Sequence, residues 1–237
     1  MCYTQNMKKY FEKYSINISD EKIKKFEKYY NILIEYNKKF NLTAITEREE
    51  VIIKHFVDSL LGVDNITGNK LIDIGSGGGF PAIPIKIFKD DVMLTMVDST
   101  GKKCEFLNDV CRELKFDNAK AVCARAEELA KDKNFRESYD ICTARAVARL
   151  NTLCEYCIPF VKVGGYFVAY KGDATEELEE AQNAIKILGG KLEKVDSFEL
   201  EGAKRQIIVI KKKKETPQNY PRGNGKERKK PLWLSSI

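Results

Sequence analysis

The chain has one histidine among 237 residues. That excludes the usual zinc sets, which need several His and Cys ligands at fixed spacing. Seven cysteines are an odd number and scattered. Without a disulfide-like spacing they point to a reducing cytosol. Cys154 and Cys157 stand as Cys-x-x-Cys, but Glu155 and Tyr156 between them lie in an apolar helical pattern, and no second pair exists. They are read as core cysteines, and no metal site is expected. No apolar run approaches the length of a membrane-spanning helix. The stretch Met1–Tyr10 lacks an apolar h-region, so no secretory signal is expected. No His–Asp or Cys nucleophile set stands out. What the chain does have is enough length to bury a substantial core, with an apolar fraction of 43%.

Its most informative stretch is Leu71–Ile87. Leu71, Ile72 and Ile74 read as a short buried strand. Gly75, Gly77 and Gly79 follow at alternate positions, where backbone can approach a ligand with no Cβ in the way. An apolar helix comes next, with Pro81 near its first turn. Strand, glycine turn and helix start describe a nucleotide-type site at the carboxyl end of an open α/β sheet. The dinucleotide fingerprint fails, because its third glycine position is Phe80. The Walker pattern fails for want of a following Gly-Lys-Ser/Thr. The remaining pattern, Asp-x-Gly-x-Gly-x-Gly from Asp73, resembles motif I of S-adenosylmethionine-dependent methyltransferases. That ligand ends in an amine and a carboxylate, so Asp73 beside backbone donors suits it. A second apolar run, Met93–Val97, ends at Asp98. An acid at the end of a second strand is placed to grip a ribose diol. Asp98 would equally serve a solvated turn, and Ser99 or Thr100 would cap the helix expected over 102–114.

Charge is unevenly distributed. Residues 211–230 hold nine Lys or Arg and two Glu; residues 1–45 hold nine Lys and five acids. The middle, 46–210, has 23 basic and 28 acidic residues. Basic ends around a mildly acidic domain suit a nucleic-acid substrate, although charge runs are often only solvated tails. Tyr220 and Trp233 flank the tail's cluster. Removing residues 211–237 is expected to weaken RNA binding and flatten its salt dependence, with little change in cofactor affinity.

Periodicity predicts helices over 22–40 and 47–61, with Ser19 a candidate N-cap. The first carries a stripe of Ile23, Phe26, Tyr30, Leu33 and Ile34. Strands are predicted at 70–74, 93–97, 119–123, 139–142 and 166–170. Helices are predicted near 81–88, 102–114, 150–160 and 175–188. Two final strands, 191–198 and 206–210, complete a mostly parallel α/β sheet ending in an antiparallel pair. The expected division is an N-terminal helical extension (1–65), a Rossmann-like domain (66–212) and a basic tail (213–237) packed on or near it.

Several blocks carry a specific resemblance. They are Asp73–Ile85, Asn41–Thr43, Lys54–Leu60, Arg125–Glu127, Thr143–Ala148 and Tyr220–Arg222. Together they resemble the GidB/RsmG family, from about residue 22 to Leu232. Ala82, Gly223 and Glu227 depart from its usual pattern. The resemblance implies a Rossmann-like methyltransferase fold and transfer of methyl from S-adenosylmethionine to guanine N7 in small-subunit (16S) ribosomal RNA. It implies that Gly75 and Phe80 line the methionine and sugar side, that Ala126 and Glu127 border the adenine, and that Arg145 faces both cofactor and substrate as the catalytic candidate. His55, Arg125, Arg222 and Lys229 are the RNA-contact candidates. The partner implied is 16S ribosomal RNA or the small ribosomal subunit, with the enzyme a monomer.

The chemistry asks little of side chains. Guanine N7 has a free lone pair, so no base must remove a proton, and alignment is the main task. Arg125 and Arg145 suit RNA phosphates or a stacked base. Two rivals stand beside this reading: a non-catalytic S-adenosylmethionine-binding RNA or ribosome-assembly factor, and a nicotinamide oxidoreductase, disfavoured by Phe80.

Overall fold

The computed structural model describes residues 2–233. Helices α1 (Cys2–Lys13) and α2 (Asp20–Asn37) come first, then a continuous helical stretch of α3 (Arg48–Val51), a π-helical turn (Ile52–Val57) and α4 (Asp58–Leu60). Then come β1 (Lys70–Ile74), α5 (Ala82–Phe88), β2 (Met93–Asp98), α6 (Gly101–Glu113), β3 (Ala119–Cys123), α7 (Ala126–Leu129) and β4 (Tyr139–Arg145). The chain continues through α8 (Leu150–Cys157), β5 (Val161–Lys171), α9 (Thr175–Ile187), β6 (Gly190–Leu200), β7 (Ala203–Lys212) and α10 (Lys226–Lys229).

The seven strands form one sheet in the order β3-β2-β1-β4-β5-β7-β6. β1 pairs in parallel with β2 and β4, β2 with β3, and β4 with β5. β7 inserts between β5 and β6 and is antiparallel to both. The fold is therefore the mostly parallel α/β sheet expected, with β7 the single reversed strand. After β3 the chain returns to the other side of β1, so strand order reverses between β1 and β4. A crevice opens at the carboxyl ends there.

The central strands are buried on both faces, as their apolar runs require. Leu71 belongs to the core under the N-terminal helices, while Ile72 and Ile74 belong to the core under α8 and α9. Period-two alternation puts Asp73 on the same face as Leu71. Cys154 and Cys157 are fully buried in the second core and unpaired.

Helix α2 begins where Ser19 accepts from Lys22 N at 3.4 Å. Its buried stripe is Ile23, Phe26, Tyr29 and Leu33; Tyr30 and Ile34 are only half-buried. The register differs by one because Tyr29 reaches inward to donate to the Gly78 carbonyl. Helix α6 starts at Gly101, and neither Ser99 nor Thr100 caps it with a side chain. Asp98 Oδ1 instead accepts from Thr100 N at 2.9 Å. Helix α1 has no counterpart in the predicted elements.

The C-terminal segment is anchored. Glu155 of α8 is fully buried. It accepts from Arg222 Nε at 2.9 Å and Nη2 at 2.7 Å, and from the Arg222 backbone N at 2.8 Å. Removing one partner of such a pair leaves a buried charge, a cost of about 3 kcal/mol. Arg222→Ala is therefore expected to lower unfolding free energy by about 2–3 kcal/mol, one backbone donor remaining. Urea unfolding checks this. A loss under about 0.5 kcal/mol would show that water replaces the guanidinium.

Candidate active site

The glycine turn after β1 is held from two sides. Gly75 N and Ser76 N donate to Val97 O at 2.8 and 3.0 Å. Gly77 N donates to Asp98 Oδ2 at 3.0 Å. From beneath, Tyr29 bonds the Gly78 carbonyl. Gly75, Gly77 and Gly79 all have positive φ, at 72°, 55° and 92°, which L side chains adopt at a cost. They serve different ends. A Cβ on Gly75 would stand 2.5 Å from Val147, while one on Gly77 would meet only open space beyond the Gly75 carbonyl. A Cβ on Gly79 would meet Ile83 and the Tyr29 hydroxyl, both at 2.7 Å. Gly79 thus permits close packing of the helix and of Tyr29 against the turn.

Beside the turn is a cleft of about 470 Å3. Gly75, Asp98, Ala126 and Glu127 line it, as expected, and so does the exposed Arg125. Tyr156, Gly225 and Arg228 also line it. No sequence signal singled these out, since they lie on a helix and a tail remote from the glycines.

Asp73 lies beneath the turn, fully buried, with Oδ1 accepting from Thr143 Oγ1 at 2.7 Å. Its Oδ2 has no partner. Burial pushes its carboxyl from 3.8 up to about 7, against the opposing pull of the hydroxyls and Arg145. An unsatisfied acid under a side-chain-free turn, with Asp98 at the neighbouring strand end, fits the amine and ribose of S-adenosylmethionine.

A second cavity, about 330 Å3, adjoins the cleft and shares Ala146 with it. Lys54, His55, Asp58, Arg145, Tyr170, Lys171 and Arg205 line it. Arg145 is its organising cation. Nη1 donates to Asp58 Oδ2 at 2.7 Å and to Lys54 O at 3.1 Å; Nη2 donates to His55 Nδ1 at 3.1 Å. Arg205 Nε takes the other Asp58 oxygen at 2.9 Å. The predicted plain helix over 47–61 is interrupted here by the π turn, whose Lys54 carbonyl receives the guanidinium. Widened turns of this kind recur at functional sites.

His55 is held tightly. It is 9% exposed, its ring stacks on Phe80 with centroids 4.3 Å apart, and both nitrogens are engaged. A guanidinium only donates, so Nδ1 accepts, and Nε2–H faces Thr43 Oγ1 at 2.8 Å. Burial and the Arg145 charge depress its pKa to about 3. His55 is a locked, neutral group on the wall of the second cavity. Phe80 is likewise core, 6% exposed and packed on Tyr29 and Phe56. Phe80 thus lies beneath the glycine turn, and Arg145 lines the second cavity, which meets the cleft at Ala146. Arg222 is engaged by the buried Glu155. Arg125 and Lys229 are exposed. Among the described residues no cluster of three His, Cys, Asp or Glu is arranged to hold a metal ion, and no helix is long and apolar enough to cross a membrane.

Two outcomes follow. Gly75→Val forces a branched side chain into a left-handed φ and against Val147. It is expected to abolish S-adenosylhomocysteine binding in calorimetry while the protein still melts cooperatively, about 2 kcal/mol less stable. Unchanged affinity would remove the turn from the site. The second concerns pH. Folded Asp73 keeps a proton that the unfolded chain releases between about pH 4 and 7, so its burial costs more as pH rises through that window. Asp73→Asn should therefore gain stability over the parent as pH rises from 4 to 7, by about 3 kcal/mol. Urea melts across pH check it; a constant gap would show an ordinary carboxylate.

A family model described as GidB, rRNA small subunit methyltransferase G, matches residues 22–208. A protein named ribosomal RNA small subunit methyltransferase G from Acetivibrio thermocellus is 49% identical over 224 residues, 92% of each chain. One of the same name from Bacillus licheniformis is 48% identical over 227 residues, 93% of this chain and 95% of that one. Solved structures share the fold at low identity. A SAM-dependent methyltransferase from Aquifex aeolicus matches with TM-score 0.52 and 13% identity, over 75% of this chain and 97% of that one. A ribosomal protein L11 methylase from Lactobacillus delbrueckii subsp. bulgaricus matches with TM-score 0.53 and 12% identity, over 68% and 79%. With the model spanning most of the sequence and relatives near half identical along almost all of it, the chain belongs to the GidB family, rRNA small subunit methyltransferase G.

Proposed function

We propose that the protein transfers a methyl group from S-adenosylmethionine to N7 of a guanosine in small-subunit (16S) ribosomal RNA. The observation that carries this is the junction of two cavities. A cleft built on the glycine turn meets, at Ala146, a second cavity lined by Lys54, Arg145, Lys171 and Arg205. The cofactor supplies an activated methyl on a sulfonium.

On this reading Gly75, Gly77, Asp98, Ala126 and Glu127 hold the cofactor, and Asp73 balances its amine through the turn. The basic cavity receives the target nucleotide. Arg145 is fixed by three acceptors, so it presents its charge without reorganising when RNA arrives. The cavity's histidine offers no free lone pair for proton abstraction, and N7 needs none. Its work is alignment and exclusion of water. Arg125, exposed at the cleft mouth, and Lys229 on the tail suit phosphate contact. The 1–65 helices then serve as the floor of the substrate cavity, and the 66–212 sheet as the cofactor platform.

The test is tritiated-methyl transfer to RNA from cells lacking the protein, with naked 16S RNA and small subunits as separate substrates, followed by nucleoside analysis. 7-Methylguanosine in either is expected. Cofactor binding with no methyl transferred to either would favour a non-catalytic RNA-binding or assembly factor. In the same assay Arg145→Lys, which keeps the charge but loses the fork, should lower turnover about 100-fold and change S-adenosylhomocysteine affinity less than about 3-fold. Equal losses in both would place Arg145 on the cofactor alone.

A further inference from the structure

The last strand is followed by a segment fastened along its length. Lys212, 1% exposed, donates to Ile158 O at 3.1 Å and pairs with Glu137 at 2.9 Å. Glu137 accepts from Thr216 N at 2.7 Å. Arg136 donates to Thr216 O at 2.7 Å and Tyr220 O at 2.8 Å. Arg222 then forks onto Glu155. Glu227, fully buried, accepts from Gly223 N, and its carbonyl accepts from Thr152 Oγ1 at 2.9 Å.

A solvated RNA arm needs no buried carboxylates. Burying a charge is costly unless it is paired; Glu155 is paired with Arg222, and Glu227 accepts the Gly223 backbone N–H, so both fix one short stretch. That stretch puts Gly225 and Arg228 on the wall of the cofactor cleft, with Tyr156, Ala126 and Glu127. The Arg228 guanidinium stands 6.0 Å from the Tyr156 ring centroid and has no ion-pair partner among the described residues. A planar cation with an open face suits a purine ring.

We propose that residues 223–228 are a wall of the cofactor site, with Arg228 contacting the adenosine end of the ligand. The inference rests on the reading of the cleft as the S-adenosylmethionine site. It departs from the expectation that losing the tail changes cofactor affinity little. Coupling is reciprocal, so ligand and docked tail hold each other in place.

The experiment uses the full chain, with S-adenosylhomocysteine as probe. Calorimetry compares wild type, Arg228→Ala and the exposed Lys230→Ala, each checked by a thermal melt. Amide exchange follows residues 220–230 with and without the probe. Arg228→Ala should bind about 10-fold more weakly, 1.4 kcal/mol, with Lys230→Ala unchanged. The probe should slow exchange at 223–228 in the wild type. Equal affinities for wild type and Arg228→Ala, with exchange unaffected, would overturn the proposal. A wild type that binds no probe would overturn the reading of the cleft instead.

Discussion

The Arg145 guanidinium is the interaction on which the site depends. Its side chain is 15% exposed, and it carries a planar positive charge. Such a group must find acceptors, and it takes them from three residues of the helical stretch before β1. The Lys54 carbonyl, the His55 ring and the Asp58 carboxylate are all oriented toward it. The π turn, the His55 tautomer and the second ion pair of Asp58 with Arg205 follow from that demand. Its cationic face also lies 5.0 Å from the Phe80 ring centroid. Truncating Arg145 would leave Asp58 half-paired and His55 without a donor.

Phe80 carries the constraint onward. Its ring belongs to a chain of aromatic contacts running from Phe11 through Phe26, Phe56 and Tyr29. That chain ends where Tyr29 bonds the Gly78 carbonyl. The N-terminal helices and the glycine turn are thus one packed unit. A turn of glycines would otherwise be the most mobile part of the site. Here Tyr29 holds it from below and Asp98 from β2, so its backbone is ordered before any ligand binds. Ordering prepaid in folding is not charged against binding.

Much of this was legible from residue order. Asp73, the three glycines and Asp98 announced a strand, a turn and a second strand end, because glycine spacing and apolar runs are local properties. The sheet's parallel character followed from strands alternating with helices. The insertion of β7 between β5 and β6 was not legible, since pairing partners distant in sequence leave no local mark. Ser19 was visible as a cap; the burial of Tyr29 in place of Tyr30 was not. Both tyrosines are apolar enough for the stripe, and only the Gly78 carbonyl chose between them.

The sequence by itself determined the class of site, the cofactor it resembles and the basic character of the chain's ends. Those depend on which residue types stand at which spacing. Only the tertiary structure decided what each charge does. Arg222 and Arg228 are six positions apart in one basic run, yet one is neutralised by Glu155 and the other opens onto the cleft beside the glycine turn. His55, a candidate by its rarity, became a neutral spacer because Arg145 arrived from β4 across 90 residues. A side chain's electrostatic role is set by what folding packs against it, and those neighbours come from everywhere in the chain.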